Sequence, residues 1–287
     1  MSQPAPAPPR SAPPQSDLLT RFAAAVVMIA VACVAIYVGG WLFRLLVAAG
    51  AAAMILEWGD MHRLKRGYGY FALAFLAVTL LAAAQYLYPV GQIDVIEEVE
   101  AVTVATFQDI WIGFAAVAAA AALATLVSRK LSLGWGMLYI GIPSFALLVI
   151  AWADVTLVFW LMLVTWATDI FAYFAGRSIG GPKLAPKISP NKTWAGLIGG
   201  MAGAAVVGAI AAWLFGISAE LPDFLWLGAP MGLLAQLGDL YESRVKRRLG
   251  VKDSGALLPG HGGVLDRLDG LLPVILATLA VLIASLA

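Results

Sequence analysis

Nine apolar stretches, each close to the length of a bilayer crossing, follow one another along the chain. A helix that spans a membrane needs about 20 predominantly apolar residues. Hydrophobic residues make up 62% of the chain and charged residues 12%, whereas soluble domains carry about 45–50% and about 25%. A soluble fold of this size could not bury so much apolar surface. The sequence therefore predicts an all-α polytopic membrane protein.

The predicted spans lie at positions that the hydropathy pattern marks along the whole chain. They cover residues 22–38, 41–56, 70–87, 110–127, 133–152, 155–174, 193–215, 224–242 and 268–286. The first two are separated only by Gly39 and Gly40, which predicts a tight helical hairpin. The single cysteine, Cys33, excludes a disulfide within the chain.

Three regions differ in composition. Residues 1–18 are rich in proline and predict a disordered tail. Residues 19–152 contain the N-terminal transmembrane helices, which we interpret as scaffold, as a dimer surface or as a wall for lipid entry. Residues 153–287 contain the remaining spans and two long basic loops.

The basic residues test the number of spans independently. With a cytoplasmic N-terminus and nine spans, 17 of the 18 Lys and Arg residues fall on the cytoplasmic side. The exception, Arg44, lies near the end of a span and can extend to the interface. The opposite side carries acidic residues such as Asp154 and Asp223 but no Lys or Arg in its loops. This segregation is what the positive-inside rule predicts.

Two cytoplasmic loops, residues 176–192 and 243–267, are long, basic and rich in glycine and proline. Because loops carry much of the chemistry of proteins, we expect the functional site where they meet the adjoining helices. The alternative is that these Lys and Arg residues only fix the orientation and contact anionic lipids. The net charge of +1 gives no indication of a nucleic-acid partner.

The eighth span ends in a polar helical face. Gln236, Asp239, Glu242 and Ser243 have helical spacing and share this face. A carboxylate at the depth of Asp239 needs a cation, a basic partner or a proton. A salt bridge to a nearby Lys or Arg is the simpler interpretation of this residue.

The loop that follows combines a Lys/Arg cluster, a glycine-rich turn around His261 and two acidic residues, Asp266 and Asp269, at the start of the last span. Glycines allow successive N–H groups to face an anion. Asp239 and Asp266, from different helices, would supply the oxygen ligands of a divalent cation that binds a polyphosphate. Each signal alone is weak, but together they predict a site.

Residues 243–269 resemble the signature of the phosphatidate cytidylyltransferases, also called CDP-diacylglycerol synthases. A second segment, Asp169 to Gly196, is similar to the same family, except that Ala195 replaces a glutamate that the family usually has. This replacement indicates that the glutamate is not essential here or that a neighbour compensates. The matching positions of the signature are Ser243, Lys246-Arg247, Lys252-Asp253, Gly255, Pro259, His261-Gly262-Gly263 and Asp266-Arg267-Leu268-Asp269.

The resemblance implies that CTP and phosphatidic acid are joined to give CDP-diacylglycerol and pyrophosphate during phospholipid biosynthesis. It implies Mg²⁺ at Asp239 and Asp266, with K⁺ as a candidate second cation, and a homodimer in a bacterial-type inner membrane. The implied catalytic residues are Asp239, Asp266, Lys252 and His261. The implied substrate-binding residues are Asp169, Asn191, Lys192, Ser243, Lys246, Arg247, Gly262, Gly263, Arg267 and Asp269.

Two other functions fit part of the pattern. A membrane lipid or polyprenol kinase would also need a metal, a basic loop and a nucleoside triphosphate, but it would transfer a terminal phosphoryl group. A secondary transporter would use Asp169 and Asp239 as ion-coupling groups. The absence of a repeated hydropathy pattern and the position of these acids beside basic loops disfavour transport.

Overall fold

The structure is a computed structural model that describes residues 15–87, 99–217, 221–258 and 262–285. In these ranges the chain is helical apart from one two-stranded sheet and its connecting loops. The elements, in chain order, are α1 (Gln15–Val38), α2 (Gly40–Met61), α3 (Arg66–Leu87), α4 (Val99–Ser128), α5 (Leu131–Ala153), α6 (Val155–Ser178), β1 (Lys183–Ala185), β2 (Ser189–Thr193), α7 (Trp194–Phe215), α8 (Leu221–Leu249), α9 (Leu265–Leu268) and α10 (Leu271–Ser285).

Six helices in the described ranges are long and apolar enough to cross a membrane, namely α2 to α7. Two shorter apolar stretches, Val26–Val38 and Leu271–Ser285, lie in α1 and α10. The remaining long helix, α8, carries the polar residues of the predicted site in its C-terminal half. The prediction of an all-α polytopic membrane protein is therefore confirmed. Each of the nine predicted stretches is helical over most of its length, and nine crossings remain a prediction.

Several helices extend beyond the predicted spans, because hydropathy marks the apolar part of a helix rather than its ends. α1 begins at Gln15, inside the predicted tail, and α4 begins at Val99 instead of residue 110. α8 continues to Leu249, about two turns past the predicted end of its span. The last long helix begins at Leu271 instead of residue 268, because the short helix α9 ends before Asp269 and Gly270.

The glycine pair after α1 forms the tight hairpin that the sequence predicts. Gly39 and Gly40 have φ angles of 65° and 53°. Only glycine adopts this region without steric cost, so both positions favour it. α2 therefore begins two residues after α1 ends.

Ser189 and Pro190, a pair that can begin a helix, do not begin the seventh helix. Both residues belong to β2, which pairs with β1 in an antiparallel hairpin, Lys183 opposite Thr193. α7 begins at Trp194 instead, and the Thr193 side chain caps it by accepting a hydrogen bond from the Gly196 N–H at 3.0 Å. Ser-Pro is a common helix start, but here the strand pairing and the threonine cap determine the boundary.

Helix α5 lies at the centre of the helical packing. It contacts α2, α3, α4, α6 and α10, and most of its middle is buried. The indole N–H of Trp58 in α2 donates a 2.8 Å hydrogen bond to the carbonyl of Ser132 at the start of α5. This contact fixes the end of α2 against α5, near the loops of the C-terminal region.

The C-terminal helices approach each other closely through glycines. Gly176 of α6 and Gly196 of α7 are in contact, and a Cβ atom at Gly196 would lie 3.5 Å from the Gly176 Cα and 3.0 Å from the Ala172 carbonyl oxygen. A Cβ atom at Gly238 of α8 would lie 3.1 Å from the Gly270 Cα. This close approach brings the polar face of α8 beside the start of α10.

Candidate active site

Asp239 of α8 lies against the hairpin that precedes α7. The Lys192 ammonium group, in β2, is 2.6 Å from Asp239 Oδ2 and donates a 2.8 Å hydrogen bond to Gln236 Oε1. The Ser243 hydroxyl donates to Asp239 Oδ1 at 3.1 Å. The two basic loops are therefore joined at this carboxylate, and the salt bridge that the sequence left open is present.

Asp266 of α9 is held by four donor contacts. The Lys246 ammonium group is 2.5 Å from its Oδ1. The backbone N–H of Ser254 donates to Oδ1 and Oδ2 at 3.1 and 2.9 Å, and that of Gly263 donates to Oδ2 at 2.9 Å. The carboxylate thus organises the loop around itself.

The charges of Asp266 and Lys246 stabilise each other. Burial alone would raise the pKa of Asp266, but the hydrogen bonds from Lys246, Gly263 and Ser254 outweigh it and lower the pKa below its usual value. Burial would likewise lower the pKa of Lys246, but its contacts with Asp266 and Glu242 raise it. Both groups are therefore charged at neutral pH.

Two further acidic residues, Glu242 and Asp269, belong to the same region as Asp266 and Lys246. The Lys246 ammonium group also contacts Glu242 Oε2 at 3.1 Å, and Asp269 lies within electrostatic range of Glu242. Glu242 is fully buried, and its Oε1 atom receives no hydrogen bond from a donor in the described ranges. Four acidic side chains, those of Asp239, Glu242, Asp266 and Asp269, therefore belong to one polar region between α8 and α10.

The sequence did not identify Glu57 of α2 as part of this region. Its side chain is 4% exposed. Its carboxylate accepts hydrogen bonds from the Ser254 hydroxyl and from the backbone N–H groups of Val264 and Leu265. A carboxylate among apolar residues is itself a signal of function, but nothing in the local pattern indicates this partner.

The predicted phosphate-binding residues separate into buried and exposed groups. Lys246 is buried and serves Asp266 and Glu242. Arg247 is exposed and donates to the carbonyls of Ile188 and Val251, which also joins the two loops. Lys252 and Arg267 are exposed. Three cationic side chains thus lie at the surface of the site.

The remaining predicted residues have less constrained positions. Asn191 is exposed in β2, and Asp169 is exposed on α6 within electrostatic range of Asp239, Lys192 and Arg267. Gly262 has a φ of 84°, as expected for a glycine turn. The N–H of Gly263, predicted to face an anionic ligand, instead donates to Asp266. His261, together with Pro259 and Gly260, lies outside the described residues.

The carboxylates of this region have the chemistry that Mg²⁺ requires. Mg²⁺ prefers oxygen ligands and commonly binds through one or two carboxylates together with water and substrate phosphates. Asp239 and Asp266 fit this pattern, and the buried Glu242 Oε1 adds an oxygen that no donor in the described part of the chain satisfies. Within the described ranges, no three His, Cys, Asp or Glu side chains are grouped so that they could hold a metal by themselves. The residues therefore supply oxygen ligands that fit Mg²⁺, and a magnesium site here stays a prediction.

Ala195, where a glutamate was expected from the resemblance, lies in the first turn of α7. Lys192, three residues earlier, is already paired with Asp239 and Gln236 of α8. The hairpin is therefore anchored without an acidic side chain at position 195.

The sequence is similar to those of several known proteins. A sequence model of the cytidylyltransferase family matches residues 19–285. The chain is 37% identical to the phosphatidate cytidylyltransferase of Brucella abortus (strain 2308) over 264 residues, 89% of this chain and 90% of the relative. It is 46% identical to the phosphatidate cytidylyltransferase of Bacillus subtilis (strain 168) over 121 residues, 41% of this chain and 44% of that protein. The protein of the same name from Haemophilus influenzae is 44% identical over 119 residues, 40% of this chain and 41% of its own length.

Proposed function

The chain belongs to the cytidylyltransferase family, and we propose that it joins CTP and phosphatidic acid to give CDP-diacylglycerol and pyrophosphate. The observation that carries this function is the similarity to a phosphatidate cytidylyltransferase over 89% of the chain. The site between α8 and α10 has the cationic and carboxylate groups that such a reaction uses. A kinase is not favoured, because the family transfers a cytidylyl group.

The reaction needs charge neutralisation and positioning more than proton transfer. A phosphate oxygen of phosphatidic acid forms a bond to the α-phosphorus of CTP, and the bond from that phosphorus to the oxygen leading to the β-phosphorus breaks. The electron pair leaves with pyrophosphate. The nucleophile is already an anion, so no strong base is required. Most of the catalysis must come from holding two anions together and stabilising the leaving group.

The described residues suit these tasks. Lys252, Arg247 and Arg267 present exposed cations that would bind phosphate oxygens. Lys192 and Ser243 orient Asp239, and Lys246 orients Asp266. When bound at Asp239 and Asp266, Mg²⁺ would neutralise charge on the phosphates, with K⁺ as a candidate second cation.

The other site residues have supporting roles in this proposal. His261 would orient a phosphate, with Gly262 and Gly263 forming the turn on the CTP side. Asn191 in the hairpin, Asp169 on α6 and Asp269 before α10 would contribute to substrate binding. Residues 153–287 would then form the catalytic region.

An integral membrane enzyme can keep its lipid substrate in the bilayer while the reacting phosphate enters the site. CTP is a cytoplasmic metabolite, so the loops that bind it must face the cytoplasm. We place the protein in a bacterial-type inner membrane, with a cytoplasmic N-terminus and a homodimeric assembly. The distribution of basic residues supports this orientation.

The activity can be tested with CTP labelled at two different phosphorus atoms. The purified protein is incubated with phosphatidic acid, Mg²⁺ and CTP that carries ³²P at either the α or the γ position. We expect α-label to enter the lipid and γ-label to leave in pyrophosphate. Entry of γ-label into the lipid would instead show a kinase and would contradict the proposal. CTP without phosphatidic acid provides the control.

The orientation can be tested by thiol labelling in a Cys33→Ala background. Pro186 is exposed in the turn between β1 and β2, and Ala153 is exposed at the end of α5. We expect a Pro186→Cys variant to react with an impermeant thiol reagent only from the cytoplasmic face. An Ala153→Cys variant should react from outside intact cells. Reaction of the Pro186→Cys variant from outside would overturn the proposed orientation.

A further inference from the structure

Glu57 stands apart from the other acids because it comes from the N-terminal helices but is hydrogen-bonded to the C-terminal loop. Among the described residues, its carboxylate accepts hydrogen bonds from Ser254, Val264 and Leu265, which lie 197 to 208 positions later in the chain. The distances are 3.1, 2.8 and 2.9 Å. All three partners donate, so the carboxylate serves as acceptor in each contact.

Two of these donors are backbone N–H groups at the N-terminus of α9. The first N–H groups of a helix have no partner within the helix. Val264, the residue before α9, has no capping side chain of its own. The Glu57 carboxylate takes that role from α2, and it fixes the backbone immediately before Asp266.

Ser254 links the two carboxylates directly. Its hydroxyl donates to Glu57 Oε2 and lies 3.3 Å from the Asp266 N–H, which donates to it. Its own N–H donates to both carboxylate oxygens of Asp266. Ser254 is 4% exposed, so these contacts are sheltered from water. A displacement of Glu57 would therefore also move Asp266, through Ser254 and through the backbone at the start of α9.

The space around Glu57 leaves little room for adjustment. A Cβ atom added at Gly255 would lie 2.8 Å from the Glu57 carboxyl group, and one at Gly263 would lie 2.6 Å from its Oε2. The backbone of the loop thus approaches the carboxylate as closely as only glycine permits. Trp58, the next residue, is hydrogen-bonded to the start of α5 and holds this end of α2 in place.

We propose that Glu57 is a positioning residue for the reaction, which sets the place of Asp266 through Ser254 and the first N–H groups of α9. The N-terminal helices then contribute to the chemistry as well as to the scaffold. This inference rests on the proposed function, because it treats Asp266 as part of the reacting site.

The test compares a Glu57→Gln variant with a matched Asp60→Asn control. Asp60 is exposed and lies on the same helix three residues later, away from the hydrogen bonds that Glu57 accepts. Glutamine keeps the size of the side chain but replaces one acceptor oxygen with a donor. Loss of such a supporting contact typically costs about 10- to 100-fold in activity or metal affinity. We expect kcat per folded protein to fall by about that factor, with a higher Mg²⁺ concentration at half-maximal rate.

A second measurement does not depend on activity. Hydrogen–deuterium exchange of the peptide that contains residues 254–268 should become faster in the Glu57→Gln variant and stay unchanged in the Asp60→Asn variant. A Ser254→Ala variant should reproduce both effects in part, and the double variant should lose little more activity than Glu57→Gln alone, because the two residues act in one chain of contacts. A Glu57→Asp variant, which keeps the carboxylate, should lie between the wild type and Glu57→Gln.

The outcomes separate this inference from the proposed function. If the wild type and Asp60→Asn make no CDP-diacylglycerol, the proposed function fails. If both are active and Glu57→Gln matches them in kcat, Mg²⁺ dependence and exchange, the inference alone fails. It also fails if Glu57→Gln loses activity only in proportion to the fraction that unfolds, since that result would mark Glu57 as purely structural.

Discussion

Replacing Asp266 with asparagine is expected to reduce the formation of CDP-diacylglycerol by about a thousandfold or more. Asparagine has nearly the same shape, and its amide oxygen can still accept one backbone hydrogen bond. It removes the negative charge that pairs with Lys246 and leaves that buried ammonium with Glu242. The proposed cation would lose one of its two carboxylates. The rate with saturating CTP, phosphatidic acid and Mg²⁺ measures the effect.

An Asp223→Asn variant provides the control for this change. Asp223 is exposed in the first turn of α8, at the end of the helix farthest from the site. It should keep wild-type activity, while both variants keep monodisperse elution in detergent. Activity of Asp266→Asn within tenfold of the wild type would show that Asp266 is not part of the reacting site. An Asp266→Glu variant should recover part of the Mg²⁺-dependent activity that Asp266→Asn loses, since glutamate restores the negative charge.

The Asp239→Asn variant should lose about a hundredfold in rate. Asp239 contacts Lys192 and Ser243, and its side chain is 36% exposed, compared with 10% for Asp266. Because the more open carboxylate depends less on the surrounding loop, we expect high Mg²⁺ to restore part of the activity. No restoration at any Mg²⁺ concentration would indicate that Asp239 has another role than binding the cation.

A double-variant cycle can separate the roles of Asp239 and Lys192. If Lys192 acts only by orienting Asp239, a Lys192→Met change should cost little once Asp239 is asparagine. If Lys192 also binds a phosphate of the substrate, the losses should multiply, and the KM for CTP or for phosphatidic acid should rise separately. The cycle uses the same steady-state assay as the single variants.

The long helices could be predicted from the sequence because each contains an apolar run of nearly bilayer length. The polar face of the eighth span and the loop that follows it predicted Asp239 and Asp266 as site residues. The hairpin at Ser189 and Pro190 could not be predicted, because the Ser-Pro sequence also fits the start of a helix. Only the pairing with β1 shows that these residues form a strand. Local patterns also mark where a carboxylate lies but leave its partner open. The pairs Lys192–Asp239 and Lys246–Asp266 follow from packing between α8, the hairpin and α9.

Glu57 shows the same limit most clearly. Its position in an apolar stretch is visible in the sequence, and the predicted span ended one residue before it. Six helices, α3 to α8, lie between it and its partners in the chain. A single sequence contains no local signal that joins positions so far apart.

The same separation has a consequence for biogenesis. A ribosome completes Glu57 long before it reaches Ser254, Val264 and Leu265, so α2 is made before the partners of this carboxylate exist. The loop that carries Asp266 can take its final shape only after α9 has emerged and docked against α2. A nascent chain that has not yet added residues 254–265 therefore cannot hold Asp266 in its final position.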